Sequence, residues 1–207
     1  MAGFAVVDCE TTGLRATQER IIEVGVVLLD SSGAFQDEWS TLVNPLRPVT
    51  SQFIHGIYDD DVASAPTFTQ ILPGLTSLLE TRAVVAHNVV FDVAFLNAEF
   101  ERSSYPMTIP AQATVCTMEL SKIYLPEGRH SLVSATERAG ISLGGHHRAL
   151  VDAWGAADLL RHYMLAESRG IRYAQQAKSR QGSVTKPAAW LPALQQASAL
   201  DWPVSLF

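Results

Sequence analysis

An apolar run that ends in two alternating acids constrains this chain more than any other feature. Phe4 to Val7 lead into Asp8 and Glu10, which are separated by Cys9 and followed by a Thr-Thr-Gly turn. This pattern predicts a buried strand that enters a tight loop. Because side chains alternate along a strand, Asp8 and Glu10 share one face and Cys9 faces the other. Two adjacent buried carboxylates repel each other, so the apolar context favours a metal-binding pair over a solvated strand end.

Length and composition favour one globular domain. The 207 residues are 47% hydrophobic, which is enough to bury a core. We find no apolar run of the roughly 18 residues that a membrane-spanning helix needs, and no signal peptide at the start. The two cysteines, Cys9 and Cys116, do not form a disulfide framework. We therefore expect a cytoplasmic protein with no membrane association.

Charge is unevenly distributed. The net charge is −6, but residues 1–168 hold 10 Lys/Arg and 20 Asp/Glu, whereas residues 169–207 hold 5 and 1. An acidic body (−10) with a basic tail (+4) is compatible with a nucleic-acid partner if bound divalent cations offset part of the negative charge.

Hydrophobic periodicity predicts an α/β fold: three antiparallel strands, then alternating strands and helices, forming a mixed β-sheet flanked by helices. The predicted strands cover residues 4–10, 21–30, 34–43, 83–87 and 113–116, and the predicted helices 68–79, 90–102, 117–124, 131–139 and 149–167, with a short turn near 59–62. Pro73 either kinks the first long helix or marks a later start.

We place the domain in residues 1–168 and a basic, Pro-containing C-terminal tail in residues 169–207. Gln, Ala, Ser and Lys dominate the tail, and Pro187, Pro192 and Pro203 interrupt any helical pattern. The tail is predicted to be partly disordered or to fold on a partner.

A second acid, Asp92, lies in the first turns of a predicted helix that follows a short apolar strand. Its neighbours Phe91, Val93 and Phe95 make an unpaired charge costly there. Alone, Asp92 is either a functional acid or an ordinary helix N-terminal acid that interacts with the helix dipole.

The third stretch carries His147 and Asp152 at the start of the last long helix. A histidine beside bound metals can accept a proton from water near neutral pH, although a surface histidine at a helix start is equally ordinary. Asp158, a further turn and a half along, faces another direction and is expected to be solvated.

Together these segments closely resemble the DnaQ-like 3′–5′ exonucleases of the DEDD superfamily, in the branch with a histidine in the last motif. The matching motifs are Asp8-x-Glu10-Thr11-Thr12-Gly13, His87-Asn88-x-x-Phe91-Asp92-x-x-Phe95 and His147-x4-Asp152. The resemblance covers roughly residues 4–166 and is greatest to the epsilon-type proofreading subunits of bacterial DNA polymerase III, which residues 53–57 and 128–132 also resemble.

The resemblance implies a ribonuclease H-like fold and a metal-dependent hydrolase that releases nucleoside 5′-monophosphates from DNA 3′ ends during proofreading or repair. Two Mg²⁺ or Mn²⁺ ions would be held by four carboxylates, and His147 would act as general base. The implied ligands are Asp8, Glu10, Asp92 and Asp152.

The resemblance also assigns substrate contacts to Thr11, Leu14, His55, Asn88 and Phe95. Leu14 and Phe95 are expected to wedge or stack against terminal bases, which favours single-stranded or frayed 3′ ends. His146 receives no role, and His87 and His130 are interpreted either as structural or as residues that lie behind those contacting the metals.

Two other functions stay open. The same catalytic residues would serve an RNA-trimming exonuclease, because discrimination of the 2′-hydroxyl depends on details of the pocket. A non-catalytic partner-binding module is disfavoured because every catalytic position holds a competent residue. Possible partners are a polymerase subunit and, through Val204–Phe207, a sliding clamp, since the terminal Leu-Phe resembles clamp-docking peptides although Pro203 replaces the expected glutamine. The alternative, which the sequence favours over a clamp contact, is a tail that folds back on its own core.

Overall fold

A five-stranded mixed sheet organises the computed structural model, which describes residues 3–144, 148–179 and 182–203. Its strands are β1 (Gly3–Thr11), β2 (Ile21–Asp30), β3 (Phe35–Leu42), β4 (Arg82–Ala86) and β5 (Thr114–Cys116). The order across the sheet is β3-β2-β1-β4-β5, with β1, β2 and β3 antiparallel and β4 parallel to both β1 and β5. The predicted mixed sheet is confirmed.

Helices cover both faces of this sheet. They are α1 (Gln52–His55), α2 (Asp59–Val62), α3 (Phe68–Leu79), α4 (Val89–Arg102), α5 (Thr117–Tyr124), α6 (Leu132–Ala139), α7 (Ala149–Ser168) and α8 (Trp190–Ser198), with a 3₁₀ turn at Ala111–Ala113. Helix α3 begins at Phe68, where the Gln70 side chain accepts a hydrogen bond from the Thr67 N–H at 2.8 Å. Pro73 therefore lies inside the helix, and the later start is excluded.

Strand β1 is buried on both faces, which explains its continuous apolar character. Phe4 and Val6 face the core under α5 and α7, whereas Ala5 and Val7 face the core under α3 and α4. The same alternation carries Asp8 and Glu10 to the α7 side of the sheet. Because Asp8 and Glu10 face α7, an acid on that helix, such as Asp152, can lie close to both of them.

Residues after 168 pack on the domain, which corrects the expectation of a partly disordered tail for the residues described. A small hairpin, β6 (Ala177–Lys178) and β7 (Val184–Thr185), precedes α8, which lies against β4 and β5. Trp190 and Trp202 are buried in the two cores. Pro192 is accommodated because it occupies the first turn of α8, where the backbone N–H groups have no intrahelical acceptor. The polar composition of this segment predicted disorder because it gave no indication that Trp190 and Trp202 pack in the core.

The domain boundary at residue 168 stays a prediction, and Val204–Phe207 lie outside the described residues. None of the helices described is long and apolar enough to cross a membrane.

Trp190→Ala tests whether α8 belongs to the folding unit. Truncating this buried side chain is expected to lower the free energy of unfolding by about 3–5 kcal/mol, measured by urea denaturation. The matched control is Leu191→Ala on the same helix, because Leu191 is 60% exposed and its truncation should cost within about 0.5 kcal/mol. Equal stability of the two variants would show that α8 contributes nothing to the core.

Candidate active site

A cleft of about 220 Å³ opens where β1 and β4 end. Because these strands are parallel, their carboxyl ends meet at one edge of the sheet, and α4 begins directly after β4. The cleft is lined by four acids and by five other residues, so that the full set is Asp8, Cys9, Glu10, His87, Asn88, Phe91, Asp92, Leu132 and Asp152. Four segments of the chain, around residues 8–10, 87–92, 132 and 152, therefore meet at one site.

Three carboxylates form a compact cluster in this cleft. Asp8 and Glu10 project from β1, and Asp152 projects from the first turn of α7. One oxygen from each group lies within 4.8 Å of the others. This is the arrangement expected of oxygen ligands that share a cation.

Asp92 joins the cluster through the backbone of β1. The N–H of Cys9, the residue between Asp8 and Glu10, donates a hydrogen bond to Asp92 Oδ1 at 3.1 Å. The Asp92 side chain is buried, and its position in the first turn of α4 brings it to the end of β1. The strand that supplies two of the acids thus also fixes a fourth acid, Asp92, in place.

Burial and mutual repulsion raise the pKa values of the carboxyl groups in this cluster. Burial raises the pKa of Glu10 to about 7, the negative charges of Asp152 and Glu23 add to the increase, and Arg148 opposes it. Burial also raises the pKa of Asp92 to about 7 against the hydrogen bond from Cys9. The pKa of Asp8 is raised well above its usual value by burial and then by Asp92 and Asp152. Positive charge in the cleft would relieve all three effects.

The donor set fits a hard divalent cation. Carboxylate oxygens are the ligands that such ions prefer, whereas zinc usually takes nitrogen and sulfur. His87 also lines the cleft, but its Nδ1 pairs with Thr117 Oγ1 at 3.0 Å and its Nε2 with the His130 carbonyl at 2.9 Å. Burial lowers the pKa of His87 to about 4, so its ring is neutral near pH 7. These contacts agree with a structural role for His87.

The predicted substrate contacts fall into two groups. Leu14 is 82% exposed, and Asn88 is exposed at the edge of the cleft. Thr11 is buried, and its hydroxyl donates to the Gly13 carbonyl at 2.7 Å. Leu14 and Asn88 are accessible to a ligand, whereas the Thr11 side chain shapes the turn that carries Leu14.

His55 and Phe95 are buried. His55 Nε2 lies 3.0 Å from the Thr50 carbonyl, and its Nδ1 accepts a hydrogen bond from the Ile57 N–H. Phe95 is 1% exposed and belongs to the core under α3 and α4. Their roles as substrate contacts stay predictions, and direct stacking of a base on Phe95 would require the core to open.

Sequence reasoning did not assign Phe91 or Leu132 to the site. Phe91 lines the cleft and its ring centroid lies 4.8 Å from that of Phe95, so it is the aromatic residue of that pair that faces the cleft. Its position directly before Asp92 in the second motif was the available signal. Leu132 lines the cleft at the start of α6, and its signal was the resemblance of residues 128–132, which stand outside the three motifs.

His147, the predicted general base, and His146 lie outside the described residues. Arg148, which directly precedes α7, is the next residue that the structure describes. The metal-ligand and catalytic roles of the five motif residues stay predictions.

Known proteins give a consistent assignment. A family model described as an RNase_T exonuclease matches residues 5–160. The PolC-type DNA polymerase III of Streptococcus pneumoniae is 33% identical over 175 residues, which are 82% of this chain and 12% of that protein. The chain thus spans only a small part of the relatives it matches.

Solved structures share the fold. Exonuclease X in complex with 5′-overhanging duplex DNA is 26% identical, with a TM-score of 0.63 over 81% of this chain and 93% of that one. Zinc-bound E. coli exonuclease I with single-stranded DNA is 18% identical, with a TM-score of 0.70 over 82% of this chain and 41% of that one.

The predicted ribonuclease H-like fold and the predicted resemblance are confirmed by these matches. Members of this family depend on divalent metals, and the acidic cluster fits that dependence. From its sequence, its fold and the acids that meet in its cleft, we conclude that this chain belongs to the RNase_T exonuclease family.

Proposed function

We propose that this chain is a 3′–5′ exonuclease that hydrolyses DNA from its 3′ end and releases nucleoside 5′-monophosphates, in replication proofreading or repair. The observation that carries the proposal is the convergence of four carboxylates from β1, α4 and α7 on one cleft. An exonuclease family model that spans residues 5–160 supports the class of reaction.

Asp8, Glu10, Asp92 and Asp152 are the proposed ligands of two Mg²⁺ or Mn²⁺ ions. When bound, such ions supply activation of the attacking water and charge stabilisation at the leaving 3′-oxygen. Four carboxylates carry a charge of −4, which two divalent cations neutralise. The hydrogen bond from the Cys9 N–H orients Asp92 before any ligand arrives. His147 is the proposed general base that accepts the proton of the water.

Selection of an unpaired 3′ end is attributed to the apolar rim, which we define as Leu14 and Phe53. Leu14 is 82% exposed and Phe53 is 90% exposed. The turn before Leu14 is joined to the segment that leads into α1, the helix of Phe53, because the Thr50 hydroxyl donates a hydrogen bond to the Thr12 carbonyl. Exposed apolar side chains stack well on bases that have left the duplex, so a frayed or single-stranded end is the expected substrate.

The proposed setting is a bacterial replication or repair complex in the cytoplasm, since the relatives include PolC-type DNA polymerases III. A polymerase partner belongs to this proposal, and so does a clamp partner that contacts Val204–Phe207. The chain is anchored up to Pro203, whose carbonyl accepts a hydrogen bond from the Tyr105 hydroxyl at 3.2 Å.

Asp152→Asn is expected to lower exonuclease activity by more than about 100-fold. Mutation of a residue that only supports a metal ligand typically costs roughly 10- to 100-fold, and Asp152 is proposed to be a ligand itself. The reason is that the substitution removes one of the three clustered negative charges. The measurement is stepwise shortening of 5′-labelled single-stranded DNA and RNA with Mg²⁺. DNA shortening alone supports the proposal, whereas RNA shortening alone would establish the RNA-trimming alternative.

The matched control is Asp158→Asn on the same helix. Asp158 pairs with Arg161 at 3.0 Å on the outer face of α7, so this variant should retain wild-type activity. Full activity of Asp152→Asn would contradict the metal-ligand role, and equal losses in both variants would point to general damage to α7.

Without divalent cations, the protein is expected to lose stability as the pH rises. The pKa values of Glu10 and Asp92 are raised to about 7 from ordinary values of 4.5 and 3.8, so the fold favours their protonated forms. Their stabilising contribution is complete below the ordinary values and is lost as the pH passes through about 7.

Thermal unfolding in EDTA at pH 5.5 and pH 8 measures this effect, with a decrease in Tm of roughly 2–4 °C for each kcal/mol lost. Asp92→Asn, which keeps an oxygen for the Cys9 N–H, should show a smaller decrease. Addition of Mg²⁺ at pH 8 should raise the Tm of the wild type because the ion binds the folded state. A wild-type pH response identical to that of Asp92→Asn would contradict the assignment.

Leu14→Ala should raise KM for single-stranded DNA more than it lowers kcat, because Leu14 contacts bases and not the reacting phosphate. Loss of one base–side-chain contact of this kind costs roughly 1–3 kcal/mol. Leu165→Ala, at an exposed apolar position near the end of α7, is the control and should leave both constants unchanged. An unchanged KM for Leu14→Ala would remove Leu14 from the substrate site.

A further inference from the structure

Glu23 is a buried acid beside the site that none of the three motifs contains. It lies on β2 directly opposite Glu10 of β1, and its side chain is 3% exposed. Burying a carboxylate is costly unless it is paired and hydrogen-bonded. We therefore expect the Glu23 carboxylate to be paired with a cation and to accept hydrogen bonds.

Those partners come from the start of α7. Arg148 donates from Nε to Glu23 Oε1 at 2.9 Å and to Oε2 at 3.2 Å, and from Nη2 to Oε1 at 2.7 Å. The N–H of Ala149, the first residue of α7, donates to Glu23 Oε2 at 3.0 Å. One carboxylate thus binds both the residue before the helix and the first N–H of the helix, where the helix dipole favours negative charge.

Gly25 adds a second contact between β2 and the same turn of α7. A Cβ atom at this position would lie 2.4 Å from both the Ala149 carbonyl carbon and the Leu150 nitrogen. Any other residue would push the backbone of α7 away from the sheet, since real Cβ contacts are not so short. The start of α7 is therefore held against β2 both by hydrogen bonds and by close backbone contact.

We propose that Glu23, Gly25 and Arg148 form a helix seat that positions Asp152 for metal binding. Asp152 lies three residues after Ala149, about one helical turn, so the orientation of this turn sets where its carboxylate points. A shift of the turn would separate Asp152 from Asp8 and Glu10, whose oxygens lie within 4.8 Å of it. The seat acts through Asp152, and Glu23 is a positioning residue and not a catalytic one. This inference rests on the proposed function.

A buried ion pair is weak evidence for stability alone, because desolvation offsets much of the attraction. The chain offers a matched comparison in Glu99, which is also buried. Arg20 donates to Glu99 from Nε at 2.7 Å and from Nη2 at 2.9 Å, and the Ile21 N–H donates at 3.3 Å. Glu99 thus makes the same kinds of bonds as Glu23, but to the start of β2 and to Arg102 of its own helix, not to α7.

The test compares Glu23→Gln, Arg148→Lys and Glu99→Gln with the wild type. Three quantities are measured on the full chain. Mn²⁺ binding is measured by calorimetry, exonuclease kcat and KM are measured on single-stranded DNA, and stability is measured by thermal unfolding in EDTA. Glu23→Gln should weaken Mn²⁺ binding by about 10- to 100-fold, in the range of residues that orient metal ligands. Its kcat should fall while KM for DNA stays constant, and a higher Mn²⁺ concentration should recover part of the activity.

Arg148→Lys should weaken Mn²⁺ binding less than Glu23→Gln does, because lysine keeps the charge but not the two-pronged contact. The Arg148 side chain is 60% exposed, so this variant serves if Glu23→Gln does not fold. Glu99→Gln should lose thermal stability while it keeps wild-type Mn²⁺ affinity.

If Glu23→Gln binds Mn²⁺ with wild-type affinity, the helix seat is overturned and the proposed function is unaffected. The same result in Arg148→Lys has this meaning where Glu23→Gln does not fold. Equal loss of affinity in Glu23→Gln and Glu99→Gln would overturn the helix seat as well, since stability alone would then explain both. A wild-type protein that neither binds Mn²⁺ nor degrades DNA would overturn both the seat and the proposed function.

Discussion

Mutual repulsion among closely spaced, partly buried carboxylates is the constraint on which the rest of this structure depends. Asp8, Glu10 and Asp152 lie within 4.8 Å of one another, and burial together with their shared charge raises the pKa values of Asp8 and Glu10. A fold holds such a cluster together only with rigid support. That support is visible in β1, which is buried on both faces, in the Cys9 N–H that holds Asp92, and in the start of α7 fixed against β2.

Much of the fold could be predicted because its main elements are long and strongly patterned. Strands β1 and β2 have nearly continuous apolar sequences, and α2 lies where the short turn was expected. The C-terminal segment could not be predicted in this way. Its order depends on a few large side chains, Trp190 and Trp202, which fill cores made by distant residues and leave no periodic signal in a polar sequence. Pro192 suggested a helix break, but its place in the first turn removes that penalty.

The candidate site shows the same division. Alternation along β1 correctly placed Asp8 and Glu10 on one face, and the resemblance of the three motifs brought Asp92 and Asp152 to the same cleft. Burial was harder to foresee: Phe95 is in the core, and the ring nitrogens of His55 are used within its own loop. Glu23 was missed because its importance comes from tertiary contacts with Arg148 and Ala149, more than 120 residues away, which no local pattern reveals.

Helix α8 lies against β4, β5 and the 3₁₀ turn before β5, the end of the sheet opposite β3. The family model ends at residue 160, well before this helix begins. Truncation after Ser168, the last residue of α7, would keep every acid of the cleft but leave apolar surface on β4 and β5 open to solvent. Exposed apolar surface of this kind favours association between molecules, so the shortened product would be prone to aggregate even though its chemistry is encoded in full.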